Sequence, residues 1–119
     1  MATRATYQIK SGYNTATFYI HWDGYLQGAA HYFKDAIELT KVSKRDFLSC
    51  FVWANKEATL TDGHEAHGDT EYRYNIERKN GSYEITAYKR VSYSRDDFEI
   101  VYFGGLDDFL NKYLNEQAA

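Results

Sequence analysis

The pattern of apolar residues predicts one α+β domain spanning residues 1–119, with an antiparallel sheet of about five strands and about three helices in the order ββααβββα. Three observations carry this reading. Several short runs alternate apolar and polar residues with period two, three longer runs repeat with helical spacing, and 119 residues suit one core rather than two. Hairpin connections dominate, which favours antiparallel pairing with the helices on one face.

The elements follow in order. Thr6 to Lys10 reads as a strand, Ser11-Gly12-Tyr13-Asn14 as a turn, and Thr15 to Trp22 as its hairpin partner. Alternation puts Phe18, Ile20 and Trp22 on one face, expected to be core, and Thr17, Tyr19 and His21 on the other. Asp23-Gly24 breaks the strand. Leu26, Ala29, Ala30, Phe33, Ala36 and Ile37 then recur with helical spacing from about Tyr25 to Lys41. Ser43 and Asp46 suggest a variant capping box for a second helix running to about Ala58, with Phe47, Cys50, Phe51 and Ala54 as its stripe. Leu60 to Thr70 is polar, glycine-flanked and aperiodic, hence a loop. Tyr72, Tyr74 and Ile76 alternate, Asn80-Gly81 is the pair a type I′ turn prefers, and Tyr83, Ile85 and Ala87 alternate again. Phe98 to Phe103 makes a further strand, Gly104-Gly105 ends it, and Leu106, Phe109, Leu110, Tyr113 and Leu114 form the last helical stripe.

Composition excludes several classes. Hydrophobic residues at 44% and charged residues at 26% suit a packed globule and are too apolar for a disordered tail. No run of about 18 apolar residues is present and Met1 to Lys10 lacks an apolar leader core, so a cytoplasmic protein without a membrane partner is expected. The lone Cys50 sits in a helical stripe and reads as a small buried thiol. With a net charge of −3 and intermixed signs, nucleic acid is not the favoured partner. The basic residues that would serve it are Arg73, Arg78, Lys89 and Arg90. No nucleophile elbow, phosphate loop, dinucleotide fingerprint or paired-cysteine zinc pattern occurs, and no catalytic residue, cofactor or metal is assigned.

Three groups of residues stand out as candidates. His21-Trp22-Asp23-Gly24-Tyr25 lies where a strand gives way to a helix, a place where side chains and free amides can converge on a ligand. On an extended strand His21 and Asp23 would be about 6 to 7 Å apart, too far for a direct hydrogen bond. The structural alternative makes Trp22 a core anchor, Asp23 the helix cap and Gly24 the residue with the special backbone conformation. The second group, His64 and His67 with Asp62, Glu65 and Asp69, is either a metal-binding loop or a solvated one. The third is the excess of strand tyrosines, Tyr72, Tyr74, Tyr83, Tyr88, Tyr93 and Tyr102. With 12 Tyr in the chain, one sheet face cannot bury them all; the exposed ones give either a wet surface or a protein-binding face.

The opening Met1-Ala2-Thr3-Arg4-Ala5-Thr6-Tyr7-Gln8-Ile9, with Phe18-Tyr19-Ile20-His21-Trp22-Asp23-Gly24-Tyr25, resembles a family of small phage and prophage proteins marked by an His-Trp-Asp-Gly-Tyr motif usually followed by Pro-Glu. The match covers roughly the first 35 residues, and Leu26-Gln27 stands where the family carries Pro-Glu. The resemblance implies a mobile-element accessory protein, expected in the bacterial cytoplasm; many such short genes encode stoichiometric inhibitors of bacterial defences, anti-CRISPR proteins among them, and an inhibitor of that kind is expected by analogy with the class. The expected partner is then a host protein, for instance a CRISPR-associated one. The binding residues would be His21, Trp22, Asp23, Tyr25, Tyr72, Tyr74 and Tyr88. A homodimer is a further expectation, because an exposed aromatic face invites self-association. The alternative is a small-molecule or metal-binding protein, perhaps enzymatic, using His21 and Asp23 or His64 and His67.

Overall fold

A computed structural model of the chain describes residues 3–118, with side chains through Leu114; Met1 and Ala2 of the opening motif lie outside the described residues. Strand β1 (Ala5–Ser11) pairs antiparallel with β2 (Asn14–Ile20), and helices α1 (Leu26–Ser43) and α2 (Phe47–Ala54) follow. Strand β3 (Thr59–Thr61) and a 3-10 turn at His64–Ala66 lead into β4 (Tyr72–Lys79), β5 (Ser82–Ser92), β6 (Asp97–Gly105) and α3 (Leu106–Ala118). The sheet order is β3-β2-β1-β4-β5-β6.

The α+β class and the three helices are as the periodicities predict, but the sheet has six strands and is mixed. The extra strand, β3, starts at Thr59 and runs into the segment read as loop from Leu60: three residues are too few to show a period, and Thr59–Thr61 forms only because β2 offers it a free edge. The pairing of β1 with β4 is parallel. This follows from connectivity, since α1 and α2 carry the chain back across one face before β4 begins, and parallel neighbours require such a crossover.

Turn chemistry matches the sequence closely. Asn80 at φ 52 and Gly81 at φ 82 close the β4–β5 hairpin as a type I′ turn, and Gly12 at φ 64 opens the two-residue β1–β2 loop. Helix boundaries differ more. Ser43 ends α1 instead of starting α2, and its Oγ accepts from the Arg45 amide at 3.3 Å. Asp46 is the N-cap of α2 without a side-chain cap bond, and the helix stops at Ala54, where Asn55 ties its amide to Phe51 O (3.0 Å) and its side chain to Tyr32 O (3.3 Å). The stripe near Cys50, which is buried, therefore spans two turns and no more.

All three helices pack on one face of the sheet through aromatic contacts. Tyr7 of β1 and Tyr74 of β4 are register partners whose rings stack at 5.0 Å and 7°. Phe33 of α1 meets both edge-on, Phe51 of α2 touches Tyr7, and Phe109 of α3 touches Tyr74. Tyr72 and Tyr74 are thus core residues, 7% and 0% exposed, and not the exposed binding residues that the tyrosine count suggested. They fall on the helix side because β4 takes its parity from its pairing with β1.

The hydroxyls of the stacked pair have different fates. Tyr74 donates to Gly24 O at 2.6 Å, whereas the Tyr7 hydroxyl is buried without a partner. Replacing Tyr74 by Phe leaves a buried carbonyl unmet and is expected to cost about 1–3 kcal/mol. Tyr7→Phe removes an unmet hydroxyl, so stability is expected to hold or rise. Urea denaturation of both variants checks the pair, and equal losses would contradict it.

Candidate functional site

With the helices on one side, the opposite face of the sheet carries the remaining side chains in cross-strand rows. Register places Tyr19, Thr6, Arg73, Tyr88 and Ile100 in one row and Thr17, Gln8, Asn75, Thr86 and Phe103 in the next. Ile100 and Phe103 are three residues apart, so strict alternation would put them on opposite faces. A bulge between Ala87 and Tyr88 makes the difference: Tyr88 pairs with Ile100 and Ala87 with Tyr102, leaving Val101 as the extra residue. Both apolar side chains then lie on the helix-free face, 61% and 63% exposed.

At the β2 side this face meets the His-Trp-Asp-Gly-Tyr segment. Strand β2 ends at Ile20, one residue before the motif, so Trp22 escapes the core face that alternation assigned it and is 51% exposed. Asp23, not Gly24, takes the left-handed backbone, with φ 56. Tyr25, not Asp23, is the N-cap of α1. The glycine is required for a different reason: a Cβ on Gly24 would meet Ala5 Cβ at 2.6 Å and Thr3 O at 2.9 Å. The segment is strapped down by Gly24 N to Thr3 O (2.8 Å), Tyr32 hydroxyl to Trp22 O (2.8 Å) and the Tyr74 bond to Gly24. Burial, the nearby Asp23 and Glu57 carboxylates and Tyr25 push the Tyr32 hydroxyl up to about 12, so it stays a donor at neutral pH.

His21 and Asp23 do not pair. His21 Nδ1 accepts from Arg4 Nε at 3.3 Å and its ring sits edge-on to Trp22 at 4.6 Å, while Asp23 faces the Tyr25 hydroxyl at 3.5 Å. The two histidine regions nevertheless meet. Tyr19 lies between them, 6.4 Å from the His21 ring and stacked on His67 at 4.0 Å and 18°. Its hydroxyl donates to Asp69 (3.0 Å), which also pairs with Arg4 Nε at 3.2 Å. His67 Nε2 is 2.9 Å from Thr61 Oγ1. Among the described residues no group of three or more His, Cys, Asp or Glu side chains is placed to hold a metal ion.

His64 reaches onto the sheet itself. Its Nδ1 is 2.6 Å from Thr6 Oγ1 and its Nε2 is 2.6 Å from Asn75 Oδ1. Since Asn75 Oδ1 only accepts, Nε2 carries the proton and Thr6 donates to Nδ1 of the neutral ring. The order hydroxyl, imidazole, amide is that of an activated nucleophile, yet Thr6 is fully buried and no substrate can reach it. The unit instead fastens the 62–71 segment onto the middle of the sheet.

The basic residues do not form one surface. Lys89 lies over the ring of Tyr72 on the helix side, Arg90 is buried, and Arg73 pairs with Asp96 at 3.1 Å on the opposite face. A phosphate-tracking stripe needs exposed charges in a line, which this arrangement lacks. Sequence reasoning missed Ile100 and Phe103 as surface residues. The one available signal is that Phe98 to Phe103 is apolar at nearly every position, too apolar for a strand with one wet face. No protein-family model matches the chain, and neither a curated protein nor a solved structure does.

Burial holds the His64 imidazole below its ordinary 6.5, helped by the Arg73 charge and opposed by the Asn75 hydrogen bond and Glu65. A histidine with a lowered folded value binds fewer protons than the unfolded chain as pH falls below 6.5. Its stabilising contribution is therefore complete above 6.5 and is lost as pH falls through the folded value. Thermal melting of the wild type should drop from pH 7 to pH 5 more steeply than that of His64→Gln, and parallel curves would refute the assignment.

Proposed function

We propose that this chain is a non-enzymatic binding module that occupies the surface of another protein with the helix-free face of its sheet and the free edge of β6. The observation that carries the reading is the edge itself. Strand β6 ends the sheet with one side of its backbone unpaired, and from Ile100 to Gly105 it bears no charge or proline to block a further strand. Ile100 and Phe103 flank that edge on the helix-free face, with Tyr88 in the row beside them. An extended segment of a partner can add to β6 by main-chain hydrogen bonds, the two apolar side chains supplying specificity.

Tyr88 and Phe103 on this face are of residue types enriched at interface centres. Of the residues expected to bind, Tyr88 belongs to the apolar end of the face, while His21, Trp22, Asp23 and Tyr25 lie at the opposite end, across the sheet. The phage-like opening motif directs the reading toward a bacterial host protein as target, and analogy with the many short mobile-element genes that encode inhibitors of bacterial defences suggests a defence or CRISPR-associated protein. The burial of Thr6 in the Thr6-His64-Asn75 unit favours binding over catalysis.

Tagged protein expressed in a bacterial host is expected to retain one host protein at a fixed stoichiometry. Ile100→Glu/Phe103→Glu should reduce that capture at least ten-fold while leaving the melting temperature within a few degrees, because both side chains are exposed. Undiminished capture by the double variant would overturn the reading. Sedimentation of the purified chain separates the self-paired case, in which the wild type runs as a dimer and the variant as a monomer.

A further inference from the structure

On the helix-free face, independently of any protein partner, two guanidiniums share one carboxylate. The side chains of Arg73 and Arg90 are 12% and 1% exposed, and their charges need anionic company at that depth. Among the described residues Asp96 alone pairs with them: Arg73 Nη2 reaches its two carboxylate oxygens at 3.1 and 3.3 Å, and Arg90 Nη1 reaches Oδ1 at 3.0 Å. Arg90 also donates from Nε to Thr70 O at 2.6 Å and from Nη1 to Ser92 O at 3.5 Å. The Phe98 ring lies 4.0 Å from the Arg73 guanidinium and 4.5 Å from that of Arg90. Two donors remain unmet, Arg73 Nε and Arg90 Nη2, both buried.

The cluster is therefore one negative charge and two acceptors short. Asp96, moreover, is open to solvent on one side: its side chain is 51% exposed, and it sits at φ 49 in the turn that joins β5 to β6. Beside it opens a cavity of about 260 Å³ lined by His64, Arg73, Asn75, Tyr88, Asp96 and Phe98. We propose that Arg73 and Arg90 form a binding site for a small oxyanion, a phosphate or a carboxylate, and that Asp96 is the internal anion it displaces. Guanidinium forks recognise either group bidentately, and the cavity between Tyr88, Asn75 and Phe98 receives the body that carries the anion.

Asp96→Asn tests this, because it removes the competing charge and keeps the side chain's shape. Calorimetric titration with inorganic phosphate at constant ionic strength should show at least ten-fold tighter binding to Asp96→Asn than to the wild type. Adding Arg73→Gln should abolish the gain; Arg90 is left intact because it is buried. Phenyl phosphate and N-acetylaspartate amide, titrated in parallel, identify the source: tighter binding of the first points to a phosphorylated small molecule, of the second to an acidic side chain. No gain in Asp96→Asn, or a gain that survives Arg73→Gln, overturns the site. Should Asp96→Asn fail to fold, the Arg73 Nε–H resonance of the wild type serves instead. A saturable shift with phosphate supports the site, and an unmoved resonance refutes it.

Discussion

The stacked pair of Tyr7 and Tyr74 is the contact from which the rest of the molecule is arranged. The two rings belong to the central strands β1 and β4, the only parallel neighbours in the sheet, and parallel register sets their Cα atoms side by side. Each of the three helices places a phenylalanine against one or both of them: Phe33, Phe51 and Phe109. Parallel neighbours require a crossover connection, and α1 and α2 lie within the one that joins the β1–β2 hairpin to β4. Local hairpins and the long-range crossover thus converge on one aromatic stack.

That stack also explains why the most distinctive sequence motif is mainly structural. The Tyr74 hydroxyl reaches past the core to Gly24 O, Tyr32 of α1 holds Trp22 O, and Gly24 lies so close to Ala5 that no larger residue fits. Gly28 is confined in the same way by the Asp23 backbone. The glycines and the hydrogen bonds fasten the link between β2 and α1, and the side chains of His21, Trp22 and Asp23 are left at the surface as a consequence. Residue spacing here is dictated by backbone approach, while any recognition belongs to the side chains the backbone leaves outside.

The two faces of the sheet differ in how they satisfy their polar groups. The helix side is aromatic, and its Tyr7 hydroxyl goes without a partner. The other side spends its polar side chains on one another, through Thr6, His64 and Asn75 in the middle and Arg4, Asp69 and Tyr19 at one end. Toward β6 this internal pairing runs out. Arg73 and Arg90 have one carboxylate between them, and Ile100 and Phe103 have no cover, so the unspent capacity for polar and apolar contact concentrates on the same third of the face.

The sequence by itself determined what depends on neighbours within a few residues: the α+β class, the helical stripes, the Asn80-Gly81 turn and the buried Cys50. Such features follow from side-chain periodicity and from backbone angles that only certain residues adopt. Tertiary structure decided what depends on partners far along the chain. The parallel pairing of β1 with β4 sent Tyr72 and Tyr74 inward, where their count alone had suggested exposure. The free edge of β2 made a strand of Thr59–Thr61, and the close of β2 at Ile20 put Trp22 in solvent. A single bulged residue, Val101, brought Ile100 and Phe103 to one face against the alternation of the strand. Residue type encodes which groups want burial or a partner; which face they reach is set by strand register, and register is a property of the assembled sheet.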